Sequence, residues 1–415
     1  MADLEQTLEY LYSLHTRGIK PGLERMAAFL ERLGNPEKSF KSIHVAGTNG
    51  KGTVSTIAYN ILRANGYSTG LYTSPHIQKF NERIKINESD IADSDIASFV
   101  EVHRKYIEDS ELTFFEITTA MAFDAFRRSG VEYAVVEVGL GGRLDATNLL
   151  TPAVSVICDI SKDHEDMLGS TISAIAGEKA GIIKKGVPVV FGVPDIDASA
   201  VIIRKASEQN APAYDLFKIA SWKIIDENVK GTEFDLSIND EPEVKCMLPM
   251  PGLHQVQNCA LAIAAIIKAG IKTVSSDIYN GVSRSKLPGR LEYVEGSPSF
   301  VVDVAHNPKK ISALAAYLKK FFPKRKKVAL FGVMKDKDYK EMVSILKDAV
   351  DEFVFTSPDL PRALDAAELT TLSPGEVVKS VPEAVKRANN LAGKDGVVII
   401  TGSFYTVAEA IERLM

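Results

Sequence analysis

The sequence predicts an α/β protein of two domains: an N-terminal domain with a parallel sheet, a phosphate-binding loop and a small antiparallel meander, then a C-terminal α/β domain. Three observations predict it. Short, mainly apolar runs alternate with stretches of helical periodicity, as strands of a parallel sheet covered on both faces require. The first such run, 42–46, stops at Gly47-Thr48-Asn49-Gly50-Lys51-Gly52-Thr53 and is followed by a helical stretch at 54–64. The alternation breaks once, at Lys286-Leu287-Pro288-Gly289-Arg290, and then restarts.

Taken in order, Leu4, Leu8, Leu11 and Leu14 recur at helical spacing before Gly18, as do Met26, Phe29, Leu30 and Leu33 before Gly34. These are two amphipathic helices ahead of the first strand. Further strands are predicted at 68–72, 133–138, 154–158 and 187–191, with helices at 91–107 and 115–128. Between Trp222 and Leu248 polar and apolar residues alternate, with turn signals at Lys230-Gly231 and Asn239-Asp240, which reads as a small antiparallel meander. Helices at 255–269 and 276–283 complete the domain. Beyond the break, strands at 300–304, 327–331, 352–355 and 396–401 alternate with helices, the last ending at Met415. The predicted division is a domain over 1–285, a linker at 286–290, and a domain over 291–415 of roughly 125 residues, an ordinary size.

Composition narrows the function classes. The 415 residues are 45% hydrophobic and 25% charged, as in ordinary globular proteins, with ample chain for a large core. A net charge of -5 without a long basic stretch offers no nucleic-acid or membrane surface. The run Lys324-Arg325-Lys326-Lys327 beside Pro323 reads as a solvated turn. Cys158, Cys246 and Cys259 lie in apolar segments without metal-ligand spacing, which suits buried thiols in a reducing compartment. The chain opens on Asp3 and Glu5, and no apolar stretch approaches 18 residues, so the cytoplasm is the expected location.

The glycine loop carries the clearest chemistry. Glycines let backbone N–H groups converge on one point, and a helix N-terminus adds partial positive charge, so a strand, glycine loop and helix in this order build a phosphate cradle. Lys51 supplies a full charge, and the Thr53 hydroxyl sits where such loops meet the magnesium that travels with ATP. The spacing departs from the usual pattern: two residues rather than four separate Gly47 from Gly50, and Gly52 intervenes before Thr53. The bland alternative is a glycine-rich turn with a solvated lysine.

In open parallel sheets ligands bind beyond the carboxyl ends of the strands. There the chain places Thr73-Ser74-Pro75-His76, then Glu137 followed by Gly139-Leu140-Gly141-Gly142-Arg143-Leu144-Asp145, then Asp159 and Asp163-His164-Glu165-Asp166. A carboxylate at the end of a buried strand needs a cation, so Glu137 is either a magnesium ligand or the partner of an arginine such as Arg143. His164 is a ligand or a surface-loop histidine. Lys179 lies on an otherwise apolar helical stretch and reads as solvated or salt-bridged. In the second domain Asp303 and His306-Asn307-Pro308 are either a ligand site or a helix-capping cluster, with Pro308 starting the helix. Thr401-Gly402-Ser403 repeats the arrangement after the last strand.

Jointly, the run from His44 to Thr53, Thr73-Ser74-Pro75-His76, Phe114-Phe115-Glu116-Ile117-Thr118, the stretch 137–148, Asp163-His164, Glu178-Lys179-Ala180-Gly181-Ile182, Pro288-Gly289-Arg290 and Asp303-Val304-Ala305-His306-Asn307-Pro308 resemble folylpolyglutamate and dihydrofolate synthases of the Mur ligase superfamily. The resemblance spans nearly the whole chain in order. It implies an ATP-dependent amide ligase with an N-terminal P-loop domain and a C-terminal Rossmann-like domain. It implies that Asn49, Gly50, Lys51, Gly52 and Thr53 hold the triphosphate, that Ser74, Glu137 and His164 hold magnesium, and that Lys179 is carbamylated to serve a second ion. Asn258, Arg290 and Asp303 match further nucleotide contacts. Phe114, Phe115, Glu116, Leu144, Asp145 and Ala146 match pterin-side contacts, and His306 and Ser403 match groups that place glutamate. Lys51, Lys179 and His164 are the residues it implies in catalysis. Val304, where many relatives carry glycine, and Thr53, often serine, are the departures.

The implied reaction is attack of a folate or dihydropteroate carboxylate on the γ-phosphate of ATP, giving an acyl phosphate that the amino group of L-glutamate then displaces. The implied protein is a monomer acting on small molecules, with no flavin or nicotinamide. A cell-wall ligase of the same superfamily generally carries a substantial domain before the P-loop, whereas 46 residues precede Gly47. A regulatory P-loop ATPase would hydrolyse ATP without making an amide. A dehydrogenase needs Gly-x-Gly-x-x-Gly, which the cluster from Gly139 to Gly142 does not match. The stretch Leu144-Asp145-Ala146-Thr147-Asn148 leans towards the bifunctional bacterial type.

Overall fold

The computed structural model of the chain describes residues 4–18, 20–239 and 241–412. Asp3, Asp240 of the second turn signal and the Met415 end of the last predicted helix lie outside the described residues. Contacts divide the chain into two compact units, one of Met1–Lys223, Asp235–Cys246 and Gln257–Ser285, the other of Ile224–Phe234, Met247–Val256 and Lys286–Met415.

Along the chain, the elements up to the break are α1 (Leu4–Ser13), α2 (Glu24–Arg32), β1 (Lys41–Ala46), α3 (Lys51–Ala64), β2 (Thr69–Tyr72), β3 (Ile84–Ile86), β4 (Ser89–Asp90), α4 (Asp93–Asp109), α5 (Phe114–Arg128), β5 (Tyr133–Glu137), β6 (Val154–Ile157), α6 (Glu165–Leu168), α7 (Ile172–Ala180), β7 (Val189–Phe191), α8 (Ile196–Glu208), β8 (Ala213–Asp215), α9 (Leu216–Ile219), β9 (Ala220–Asn228), β10 (Gly231–Ile238), β11 (Val244–Leu248), α10 (Leu253–Lys268) and α11 (Ser275–Ser283). An eight-stranded sheet runs β4-β3-β2-β5-β1-β6-β7-β8. It is parallel except for the β3 and β4 hairpin strands at one edge. The sequence missed β3, β4 and β8 because strands of two or three residues at a sheet edge carry no apolar run. The predicted meander is a three-stranded sheet in the order β11-β10-β9.

Strand β1 lies between β5 and β6, and the register sets Val45 opposite Glu137 and Ala46 opposite Ile157. The loop leaving β1 therefore emerges between the carboxyl ends of both neighbours, where the strand order reverses. Helix α3 begins at Lys51, three residues before the predicted start, because Gly50 takes a left-handed φ of 88° and caps the helix itself. Lys51 is thus in the first helical turn. One core gathers Leu11, Met26, Phe29, Ile96 and Phe123 from α1, α2, α4 and α5 with Tyr72 and Val136; another gathers Ile175, Ala198 and Ile202 of α7 and α8 with Val189 and Phe191.

The second unit continues with β12 (Glu292–Val294), β13 (Ser299–Val302), α12 (Pro308–Phe321), β14 (Lys327–Phe331), α13 (Tyr339–Leu346), β15 (Glu352–Phe355), α14 (Ala366–Leu369), β16 (Glu376–Val377), α15 (Val381–Ala392), β17 (Val397–Thr401) and α16 (Phe404–Ile411). Its sheet runs β12-β13-β17-β14-β15-β16, with β12 antiparallel. Pro308 opens α12 behind the Asn307 cap. The stretches 224–234 and 247–256, placed by the sequence in the first domain, belong to this unit. Val229 packs into its core and accepts from the Tyr317 hydroxyl at 2.9 Å, while Glu227 pairs with Lys320. Lys327 corrects the solvated-turn reading: it opens β14, is buried, and its ammonium donates to the Arg325 carbonyl at 2.7 Å.

Helix α11 reaches the back of α3 through Gly281, where an added Cβ would stand 2.5 Å from Ile61 Cα. That atom is backbone and cannot yield. Gly281→Ala is expected to cost about 1–3 kcal/mol of stability, read as a lower denaturant midpoint at unchanged slope; an unaltered midpoint would contradict this packing.

Candidate functional site

The glycine loop is held from outside as well as by its own turns. Thr48 N–H donates to the Asp159 carbonyl at 2.6 Å, and the Thr48 hydroxyl donates to the Ser161 carbonyl at 3.0 Å. The Asn49 amide donates to Asp159 Oδ2 at 2.8 Å and to Ser161 Oγ at 3.0 Å. Asn49, expected to hold phosphate, thus has its side chain spent on fastening the loop to the segment after β6. Asp159 and Ser161 were not expected as loop fasteners. Gly50 is required by its φ and by Asn258, whose Oδ1 would lie 2.4 Å from an added Cβ. The structure thereby brings Asn258 of α10 against the cradle. Thr53 is buried in the first turns of α3.

Charge concentrates beside this loop. Glu137 is buried at the end of β5; its Oε1 lies 3.9 Å from Lys51 Nζ, and its Oε2 accepts from Ser74 N–H at 3.2 Å. Arg143, the alternative partner, instead pairs with Glu178 at 2.9 Å. Lys179 is buried at 4% exposure, which overturns its reading as a solvated lysine. Burial, then the Lys51 charge, push its amine down to about 7, against the pull of Asp163 and Asp159. Beneath them the Cys158 thiol is pushed up by burial. His164 sits half-exposed at the start of α6 with a left-handed φ of 53°, its Nε2 3.7 Å from Asp163 Oδ1. Ser74 and Glu137 meet directly, whereas His164 stands with Asp163.

Among the described residues no three His, Cys, Asp or Glu side chains make a metal cage by themselves. The groups gathered here are the Glu137 carboxylate, with Ser74 N–H on one of its oxygens, and Thr53 in the first turn of α3 next to a phosphate cradle. That hard-oxygen set fits magnesium, which is typically held by one or two carboxylates plus substrate phosphates.

Next to the cradle lies a cavity of about 630 Å³. Its walls include Phe114, Phe115, Glu116, Leu144, Asp145 and Ala146, so the structure brings all six expected pterin-side residues together. Ser74 lines it too. Phe115 closes on Gly139, where a Cβ would come within 2.4 Å of the ring. His15 stacks on Phe114 at 4.1 Å, and the Arg83 guanidinium lies 5.2 Å from the Phe114 ring. Flat faces and edge polar groups suit a heteroaromatic ring. Arg143 of the expected 139–145 stretch lines the cavity too, whereas His15, Lys20 and Arg83, which also line it, were missed, since short polar segments without periodicity gave no signal. One expected contact has structural duties: Glu116 accepts from Thr113 N–H at 2.8 Å, closing a capping box, and lies 3.2 Å from Arg25.

In the second unit Arg290 lies 5.2 Å from the Phe404 ring, and His306 packs on the same ring at 5.4 Å. Asp303 accepts from Leu291 N–H at 2.7 Å and Ala305 N–H at 2.8 Å; burial raises its pKa while Arg290 opposes the rise. Ser403 is buried and caps α16 by accepting from Thr406 N–H at 3.0 Å, leaving little of its hydroxyl for a ligand. Arg290, Asp303 and His306 therefore share one corner of the unit, with Ser403 behind it.

Comparison with known proteins agrees with this arrangement. Residues 45–266 match the Mur ligase middle domain, and residues 289–404 match the Mur ligase, glutamate ligase domain. The dihydrofolate synthase/folylpolyglutamate synthase of Bacillus subtilis is 36% identical, covering 96% of each chain. The folylpolyglutamate synthase of Lacticaseibacillus casei is 35% identical over 99% of this chain and 98% of its own. Escherichia coli FolC in complex with DHPP and ADP superimposes with a TM-score of 0.90 at 33% identity, covering 99% of this chain and 97% of that one. The Yersinia pestis bifunctional enzyme with Mn, AMPPNP and L-glutamate bound gives 0.88 at 33%, covering 100% and 98%. No helix among the described residues is long and apolar enough to cross a membrane. A phosphate cradle, an adjoining aromatic cavity and full-length similarity agree: the chain belongs to the Mur ligase family, among the folylpolyglutamate and dihydrofolate synthases.

Proposed function

We propose that this chain is an ATP-dependent ligase that joins L-glutamate to the carboxylate of a folate or dihydropteroate through an acyl phosphate. The observation that carries the reading is Ser74, which lines the aromatic cavity and donates its N–H to Glu137, the carboxylate beside Lys51. An acceptor seated in that cavity has a short path to the terminal phosphate of a nucleotide on the glycine loop. The nucleotide, DHPP and glutamate carried by the related structures support the same assignment of substrates.

A carboxylate resists attack by an amine because its charge makes it a poor electrophile, so activation comes first. The acceptor carboxylate attacks the γ-phosphorus; the bond to the β-phosphate oxygen breaks and ADP leaves. The glutamate amine, once deprotonated, then attacks the acyl carbon, and inorganic phosphate departs. Lys51 and the N–H groups at the start of α3 offset the charge spreading over the transferred phosphoryl oxygens, which is positioning plus electrostatics. Glu137, Thr53 and Ser74 would hold magnesium, which would supply Lewis-acid charge neutralisation there. We assign His164 to the same region through Asp163, Asn258, Arg290 and Asp303 to the nucleotide, and His306 to the incoming glutamate. Three free, buried cysteines support the cytoplasm as its location.

Lys179 is proposed to carry a carbamate. Only the free amine adds carbon dioxide, and a lysine whose pKa lies near 7 is about half free at neutral pH, unlike a solvated one. Protonation dominates below that value, so carbamate formation should rise as pH goes from 6 to 8. A 13C carbamate resonance from labelled bicarbonate should follow that rise and be missing in Lys179→Met; a resonance indifferent to the substitution would refute the assignment.

Phosphate release with ATP, magnesium and glutamate is expected with dihydropteroate and with a reduced folate, each product gaining one glutamyl mass. Silence with both acceptors in a protein that binds ATP would refute the substrate assignment. Lys51→Ala is expected to fold normally and lose at least about 100-fold in turnover, some 2.7 kcal/mol of transition-state stabilisation. Turnover at the original rate would remove the loop from the mechanism.

A further inference from the structure

We propose that His44 is a positioning residue for the acceptor cavity, holding the Asp145 wall in place through the hydroxyl of Thr147. The inference rests on the reading of that cavity as the acceptor site. His44 lies inside β1, paired with Val136 on one side and Ser155 on the other, and is fully buried. An aliphatic residue would fill such a place at no polar cost, so a histidine there needs a reason. Its Nε2 lies 2.8 Å from Thr147 Oγ1, while Nδ1 has no hydrogen-bond partner among the described residues.

The direction of the bonds follows from the groups. Thr147 Oγ1 lies 2.5 Å from Asp145 Oδ1. Burial raises the Asp145 pKa, but hydrogen bonds from the Thr147 hydroxyl and from the N–H groups of Leu140, Thr147 and Gly139 act the other way, and the carboxylate that receives these donors only accepts. With its one hydrogen spent, Thr147 can only accept from the ring, so Nε2 carries the proton and Nδ1 is a bare lone pair. Burial keeps the ring neutral, with its pKa pushed down to about 3, and the Lys184 charge acts in the same sense. Donors therefore run one way, from His44 to Thr147 to Asp145.

Asp145 is the knot of the cavity wall. Its Oδ1 also accepts from Thr147 N–H at 3.0 Å, and its Oδ2 accepts from Leu140 N–H at 2.9 Å. Leu140, Leu144, Asp145 and Ala146 all line the cavity. The carboxylate thus closes the loop on itself, and His44 ties that knot to the strand that ends, at Gly47, in the phosphate loop. Acceptor wall and nucleotide loop share one anchored strand.

The test compares Thr147→Val, Thr147→Ser, His44→Leu and His44→Gln by thermal melting and by direct binding of a reduced folate and of ADP. Thr147→Val and His44→Leu are expected to weaken folate binding about tenfold, the size of one buried hydrogen bond, with ADP binding unchanged. Thr147→Ser keeps the hydroxyl, and the His44→Gln amide can place an N–H near Nε2, so both should recover most of the loss. Variants that bind folate as the original does, or that lose folate and ADP together, would overturn the inference. An original protein that binds ADP but neither folate nor dihydropteroate would overturn the cavity reading itself. Nitrogen NMR of the unaltered protein gives a check that needs no variant: His44 should show protonated Nε2 and bare Nδ1 from pH 5 to 8, and the opposite tautomer would refute the relay.

Discussion

A carboxylate at the end of a buried strand has to be met by positive charge, and much of the site follows from where Glu137 meets it. Parallel pairing with β1 brings Glu137 level with Val45, just before the glycine loop. The same pairing lets the first residue of α3, Lys51, reach back to it. Ser74, after the next strand over, contributes its N–H to the other oxygen. Three separate stretches of sequence therefore converge because one buried charge lies at the edge where their strands end. Ligands bind at that edge for the same reason: it is where backbone donors and charged side chains outnumber the partners that the fold itself supplies.

The two lysines beside the glycine loop, Lys51 and Lys179, are not equivalent. Lys51 keeps some exposure and sits at a helix N-terminus, where its charge adds to the N–H groups facing an incoming phosphate. Lys179 is buried and has a cation already nearby, so its charged form is disfavoured twice over. Burial and the neighbouring Lys51 charge together push Lys179 towards its free amine. A lysine at a helix N-terminus suits electrostatic stabilisation, and a buried amine pushed towards its neutral form suits nucleophilic chemistry.

How much of this was legible depended on whether a residue's signal was local. The glycine loop, the mainly apolar strands and the Pro308 helix start could be read because their pattern lies within a few consecutive residues. Glu137 was legible as a buried charge in need of a partner, but not the identity of that partner: Arg143 is nearer in sequence, yet Glu178 takes it across the loop. Lys179 read as solvated because periodicity records which face a residue occupies and not what covers that face. His15, Lys20 and Arg83 had no pattern at all, since cavity walls made of loop residues are assembled by tertiary contacts. The short edge strands β3, β4, β12 and β16 were lost for a related reason, having too few residues to show a period.

Several residues expected to touch ligands turn out to spend their polar atoms on the protein. Asn49 fastens the phosphate loop, Glu116 closes a capping box, Asp145 knots the cavity wall and Ser403 caps a helix. This favours catalysis in a specific way. A loop whose side chains are already bonded presents its backbone N–H groups and ring faces in one geometry, so little reorganisation is needed when charge develops on a transferred phosphoryl group. The few polar atoms left to change partners, on Lys51, Glu137 and Lys179, then work against a fixed frame. A residue of such a frame can matter to turnover without touching a substrate, and that separates a fastening residue like Asn49 from a charged one facing the phosphate cradle like Lys51.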